Sequence, residues 1–385
     1  MKFKFLLLKF FFFTHLASMS FAQLPEHRGM YVDGFVSQIL GNKQQTDKLL
    51  DFIESNHFNA LTLYELHLID FENVRQVREL SRFIRNARKI GVKSIGAAAE
   101  NTDFFLNKII PYNQSQVSRA RFDVLNFEFE FWVPELYQNG KYYCQSYLQP
   151  NGFSCDQKGA FQFYLQEIQN IHQLSQNNGL ITEAYLGWFS QEQADSLLPY
   201  IDRLLLHAYV QNQEFAFEYS KERLLLLENT DEPIEVIGLF SSEDQFLKQW
   251  LNDNDNDLLY AYSIYHNDLI NFRNWNKVYE NGYQWFTYSV LPEDAKVIDT
   301  IDETRDLEAT FAANISIGPN PADDFVQLKG DLDWVKKVII YDLNGELIKN
   351  FNFSSKIFVK ELKKGIYLFR LIGENQVQTF RLLKH

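Results

Sequence analysis

The chain has 385 residues with 37 basic and 50 acidic side chains, for a formal charge of -13. That length fits one large domain plus a small one, or two to three modest domains. The acidity and the lack of a clustered basic face exclude nucleic acid as a partner, and 2 cysteines exclude a disulfide-built scaffold.

Residues 1–22 carry Lys2 and Lys4, then a mostly apolar run interrupted by Lys9, then the small residues Ser20 and Ala22. This pattern predicts a secretory signal peptide cleaved before Gln23. The apolar run after Lys9 is too short to span a bilayer, and no later stretch reaches that length. The mature chain is therefore expected to have no transmembrane span. Loss of the three lysines takes the charge from -13 to -16.

Residues 28–292 alternate strand-like runs with amphipathic helical patterns. Strands are predicted at Gly29–Phe35, Ala60–Leu66, Val92–Ala98, Val124–Phe131, Ile181–Trp188, Arg203–Val210, Ile234–Phe240 and Tyr283–Val290. Helical stretches include 45–56, 74–90, 161–176 and 244–251. In the second, Val74, Val77, Leu80, Phe83, Ile84 and Ala87 recur at helical spacing. Gly91 and Gly179 follow helices as C-terminal caps do. Eight such units over 23–292 predict an α/β fold, a (β/α)8 TIM barrel. The rival, an open doubly wound sheet, expects a glycine-rich phosphate loop after its first strand, and none is present. Residues 258–274 have no clear place in this scheme.

Chemistry in such a barrel sits at the C-terminal ends of the strands. On the fourth strand Asn126, Glu128 and Glu130 share one face, about 7 Å apart per step. Leu125, Phe127, Phe129 and Phe131 share the other, which is expected to pack on helices. Two acids on an inward face favour one retained proton, the state a general acid needs. In an all-β protein the same pattern would be a solvated strand.

This strand resembles that of glycoside hydrolase family 18, the chitinases and endo-β-N-acetylglucosaminidases, whose pattern is D-x-x-D-x-D-x-E. Asp123, Asn126, Glu128 and Glu130 occupy its positions. Ser94-Ile95-Gly96-Ala97 is similar to the family's S-x-G-G, and His207-Ala208-Tyr209-Val210 to its M-x-Y-D. The resemblance implies Glu130 as proton donor, Glu128 steering the substrate's acetamido group and Tyr209 contacting it. The acetamido carbonyl would then be the nucleophile. Asn126 and Glu128 replace aspartates, Val210 replaces a carboxylate and Ala97 a glycine. A non-catalytic glycan-binding or structural surface protein is therefore the alternative. A second catalytic arrangement pairs Glu130 with Glu243 after the seventh strand. Ser-Ser-Glu-Asp at 241–244 also reads as a helix start, where acids suit the dipole, and that reading is preferred for Glu243.

Cys144 and Cys155 enclose a short loop, and in an exported chain a disulfide is expected there. Trp132, Tyr137, Tyr142 and Tyr143 in or near this loop, and Trp188 and Trp285 on strands five and eight, are candidates for sugar stacking, or for simple packing. His57, His67, His172, His207 and His266 show no metal-ligand spacing. The acidic run 252–257 lacks the glycine and distal glutamate of a calcium loop. No metal or cofactor is expected.

Residues 293–313 are acidic, lack glycine and read as a linker. The remaining 314–385 carry 11 basic and 8 acidic residues, against a net -19 for 23–313. Their alternating runs predict a small all-β sandwich, with a hairpin turn at Asp342-Leu343-Asn344-Gly345. Gly318-Pro319-Asn320-Pro321-Ala322, Val338–Asp342 with Gly345, and Gly365–Arg370 resemble the type A sorting domain of the type IX secretion system of Bacteroidetes. The resemblance implies export to the cell surface or medium, with that secretion machinery and a glycan as partners.

Overall fold

The computed structural model describes residues 24–295 and 315–384, apart from 320, 331, 333–334, 343–346 and 373–376. The expected signal peptide (1–22) and most of the expected linker (293–313) lie outside the described residues.

Eight parallel strands close into a barrel in sequence order: β1 (His27–Val32), β2 (Ala60–Leu63), β3 (Ser94–Ala99), β4 (Val124–Phe127), β5 (Ile181–Leu186), β6 (Arg203–His207), β7 (Ile234–Ser241) and β8 (Val278–Phe286). β8 pairs with β1 from His27↔Gly282 to Met30↔Trp285, which leaves no free edge. The closed barrel excludes the open doubly wound sheet. Gly282 sits at this seam with φ +139, and a Cβ there would meet the His27 carbonyl oxygen at 1.9 Å. Only glycine fits that approach.

Helices cover the outside where the 3.6-residue pattern lies. Val74–Lys89 starts on Asn73, whose side chain accepts from the Arg75 and Gln76 N–H groups, and it buries Leu80, Phe83, Ile84 and Ala87. Gln157–Asn178 starts on Asp156 and stops at Gly179 in the left-handed region. The span 258–274 proves to be a helix, Leu258–Phe272, capped by Asp257. It is apolar on most sides, so its period is hidden. β8 begins at Val278 rather than Tyr283 and ends at Phe286, and a 3-10 turn at Tyr288–Val290 follows. Among the described residues no α-helix follows β8 before residue 296.

Residues 315–384 form two antiparallel sheets. One has β9 (Ser316–Gly318), β10 (Phe325–Lys329) and β13 (Lys356–Phe358). The other has β11 (Lys337–Asp342), β12 (Leu347–Asn352), β14 (Gly365–Ile372) and β15 (Val377–Lys384). Their facing sides share a core that includes Val326, Leu328, Val338, Ile340, Phe369 and Leu371. The β11–β12 hairpin forms as expected, although the turn at 343–346 lies outside the described residues.

Candidate active site at the barrel mouth

The barrel interior is stacked in layers. Near the N-terminal ends, His27 Nε2 lies 2.9 Å from Gln284 Oε1, and Gln284 Nε2 donates to Thr62 Oγ1 at 3.1 Å. Gly29 leaves room for this pair, since a Cβ would lie 2.3 Å from Gln284 Oε1. Beside it, Arg203 bridges Glu183 at 3.3 Å and Glu235 at 3.1 Å. Asn126 donates to Glu183 Oε1 at 2.9 Å and to the Tyr31 hydroxyl at 3.1 Å. A layer of Tyr31, Leu205, Ile237 and Leu239 lies above.

At the C-terminal ends the chemistry changes. β4 stops at Phe127, but the Glu128 N–H donates to the Ala99 carbonyl at 3.0 Å and continues the ladder. The side-chain alternation therefore persists to Phe131. Phe127, Phe129 and Phe131 are fully buried. They pack on Tyr164 and Phe163 of the helix Gln157–Asn178, at centroid distances of 4.7 to 4.9 Å. Glu128 and Glu130 thus turn inward. They line a cavity of about 330 Å³ together with Tyr209, Glu243, His207 and Tyr185. Its other walls include Tyr31, Tyr64, Phe246 and Phe286.

Burial pushes the Glu128 carboxyl up to about 8, against the opposing Tyr64 and Tyr31 hydroxyls. The Glu130 and Glu100 charges add to the rise. Tyr64 donates to Oε2, whereas Oε1 has no hydrogen-bond partner. Glu128 is therefore protonated at neutral pH. Burial also raises Glu130, opposed by the Tyr185 hydroxyl. The phenol of Tyr209 is held well above its ordinary range by burial and then by the charges of Glu128, Glu243 and Glu130. His207 falls to about 3 through burial and the Arg223 charge, so it stays neutral. Glu243 Oε2 accepts from Ser241 Oγ at 3.0 Å.

The loop after β4 supports this wall. Cys144 and Cys155 form the expected disulfide. Tyr143 stacks on Phe129 at 4.0 Å, and its hydroxyl accepts from the Glu130 N–H at 3.3 Å. Glu100 Oε2 accepts from the Tyr142 and Tyr147 hydroxyls at 2.7 and 2.6 Å. These tyrosines anchor the loop.

Glu128, Glu130 and Tyr209 line one cavity. Trp132 lies at the rim, edge-on to Tyr185 at 5.5 Å. Three expectations need correction. Asn126 is 0% exposed and bonded below the cavity, so it cannot reach a sugar. Trp285 is also 0% exposed. It faces Phe240 in the outer core because its neighbour Gln284 takes the inward position. Glu243 does not begin a helix, since the next helix starts at Lys248. Trp188 is 47% exposed but leans outward on Arg223, 4.4 Å from its ring. The sequence reading missed Tyr31, Tyr64, Tyr185, His207 and Phe286. Each is an inward position near its strand's end, a signal available from period-2 alternation.

A larger groove of about 610 Å³ runs along the outer face of the helix Gln157–Asn178. Of its two acids, Asp103 and Glu167, the latter is committed to Thr102, accepting from Oγ1 at 2.7 Å. Among the described residues no group of three or more His, Cys, Asp or Glu side chains is placed to hold a metal ion.

Residues 316–385 match the family described as the secretion system C-terminal sorting domain. The C-terminal module is a type IX secretion sorting domain. The protein is therefore exported to the cell surface or the medium. Among the described residues no helix is long and apolar enough to cross a membrane. No curated protein matches the chain.

Solved structures similar to the chain include a β-glucuronidase from Bacteroides uniformis, with 10% identity, 94% of this chain and 46% of that one covered, and a TM-score of 0.43. An endo-β-1,4-mannanase from Cellulomonas fimi matches with 12% identity, 85% and 86% coverage and a TM-score of 0.33. So does an aldolase from Escherichia coli, with 12% identity, 55% and 66% coverage and a TM-score of 0.32. The chain spans 46% of the length of that β-glucuronidase. Likeness of this degree carries no chemistry with it.

Proposed function

We propose that the barrel hydrolyses a glycosidic bond, with Glu130 as general acid and Glu243 as the opposing carboxylate. The observation that carries this reading is that both acids, from the ends of β4 and β7, line one cavity. Glu130 donates its proton to the glycosidic oxygen as the bond to the anomeric carbon breaks. The leaving sugar departs as an alcohol. Glu243 either attacks the anomeric carbon or takes a proton from the attacking water. In the first case Glu130, now a base, activates the water that cleaves the glycosyl ester.

The convergence of Glu128 and Tyr209 on Glu130 supports a second reading. An acetamido carbonyl oxygen attacks in place of Glu243, with protonated Glu128 and Tyr209 holding the acetamide. The two readings separate on Glu243→Gln. The first expects turnover to collapse, whereas the second expects it to survive on N-acetylglucosaminides alone. The primary test is Glu130→Gln on a panel of chitin oligomers, high-mannose N-glycans and peptidoglycan fragments. Tight binding with no turnover by the wild type would instead identify a glycan-binding protein. Unchanged hydrolysis in Glu130→Gln would remove Glu130 from the mechanism.

A further inference from the structure

We infer that the mouth cavity selects a sugar ring bearing a positively charged amine over an N-acetylated or carboxylated ring, an inference that rests on the carboxylate-pair reading above. Glu128, Glu130 and Glu243 all line the cavity, and among the described residues no lysine or arginine does. Its one imidazole, His207, is held neutral. The nearby Arg223 is turned away, donating to the Gly187 and Tyr219 carbonyls at 2.8 and 2.9 Å beneath Trp188. A carboxylated ring would thus enter beside three acids with no cation to meet it.

Two further features point to a cation. The walls are rich in aromatic rings: Tyr31 lies 5.3 Å from Tyr64 and 5.6 Å from Phe286, and Tyr209 lies 5.0 Å from Phe246. Such walls attract an ammonium through their quadrupoles, most strongly when water is excluded. Glu128 Oε1 is buried without a donor. An ammonium brings three N–H donors and a charge, whereas an acetamido group brings one N–H and none. The volume of about 330 Å³ suits a single ring. Because Glu128 starts out protonated, binding the amine drives it to ionise and releases its proton to the buffer.

The test uses the exported chain and matched oligosaccharides of β-linked glucosamine, N-acetylglucosamine and a uronic acid, at mildly acidic pH where the amine is charged. Turnover and calorimetric binding are compared across buffers of different ionisation enthalpy. The amine-bearing oligosaccharide is expected to be preferred by roughly tenfold. The preference should shrink with added salt and in Glu128→Gln or Glu243→Gln, and proton release should accompany only this ligand. Equal or better use of the N-acetylated or uronic oligosaccharide overturns the selection and leaves the glycosidase reading standing. Selective binding of the amine without hydrolysis of any glycan upholds the selection and removes the glycosidase reading. No binding of any of the three overturns the selection.

Discussion

The two ends of the barrel interior bury the same residue type in opposite ways. Toward the N-terminal ends, Glu183 and Glu235 share Arg203, and Asn126 and Asn281 supply amide donors. At the C-terminal ends, Glu128, Glu130 and Glu243 meet the hydroxyls of Tyr64, Tyr185 and Ser241 in a cavity rich in aromatic residues. Burial raises both Glu183 and Glu128, but Arg203 opposes the rise in Glu183 and no cation lines the cavity around Glu128. A buried acid paired with a cation holds a structure together. An acid left without one is poised to exchange a proton or to accept a ligand.

The sharpest way to break this contrast is at the mouth. Glu130→Gln should lower kcat/KM on a confirmed glycan by about 10² to 10⁴, with the melting temperature essentially unchanged. A parallel loss of stability and activity would place Glu130 among the structural acids instead. At the other end, Arg203→Met should destabilise the fold by about 3 to 5 kcal/mol, because it strands Glu183 in the interior. Urea unfolding measures this, and a cost under about 1 kcal/mol would show that the lower network is not a clamp. The Cys144→Ser and Cys155→Ser pair should cost about 2 to 3 kcal/mol for a cysteine separation of 11. It should also lower activity less than Glu130→Gln does, through looser packing of Tyr143 on Phe129. Full activity in the serine pair would mean that the loop does not position Glu130.

Much of the fold and the acids of the mouth were legible in the sequence, whereas the Arg203 network and several site positions were hidden for physical reasons. The strands showed through period 2 and most helices through period 3.6. The helix Leu258–Phe272 escaped because apolar residues such as Ile270 and Phe272 lie outside its buried stripe of Leu258, Ala261, Tyr262, Tyr265 and Leu269 and blur the period. Alternation gave the face of Asn126 but not its depth, and depth decides whether a polar group touches substrate or only its neighbours. Trp285 was chosen for its residue type, while the parity of β8 points Gln284 inward instead. Glu243 lies after a strand and before a helix, so local rules favour a cap. The closure of the barrel, a long-range fact, brings it to the cavity with Glu130.

The last expected effect concerns Glu128, and its signature is a slope. Its folded value of about 8 lies above the ordinary carboxylate range. Below that ordinary range both folded and unfolded states are protonated, and Glu128 costs nothing. As the pH rises past it, the unfolded state gains by ionising while the folded state cannot. Stability is therefore lost progressively between about pH 4.5 and 8, and the loss levels off above 8. The slope is at most about 1.4 kcal/mol per pH unit, reduced by the side chain's partial exposure. Glu128→Gln removes the titration, so its stability should be flatter across that window. Arg203→Met should instead steepen the loss, because Glu183 is left without the cation that opposes its own rise. Denaturant midpoints taken at several pH values read this directly. If the wild type and Glu128→Gln profiles run parallel from pH 5 to 8, the mouth acid is not held protonated, and the contrast between the two ends of the barrel fails at its base.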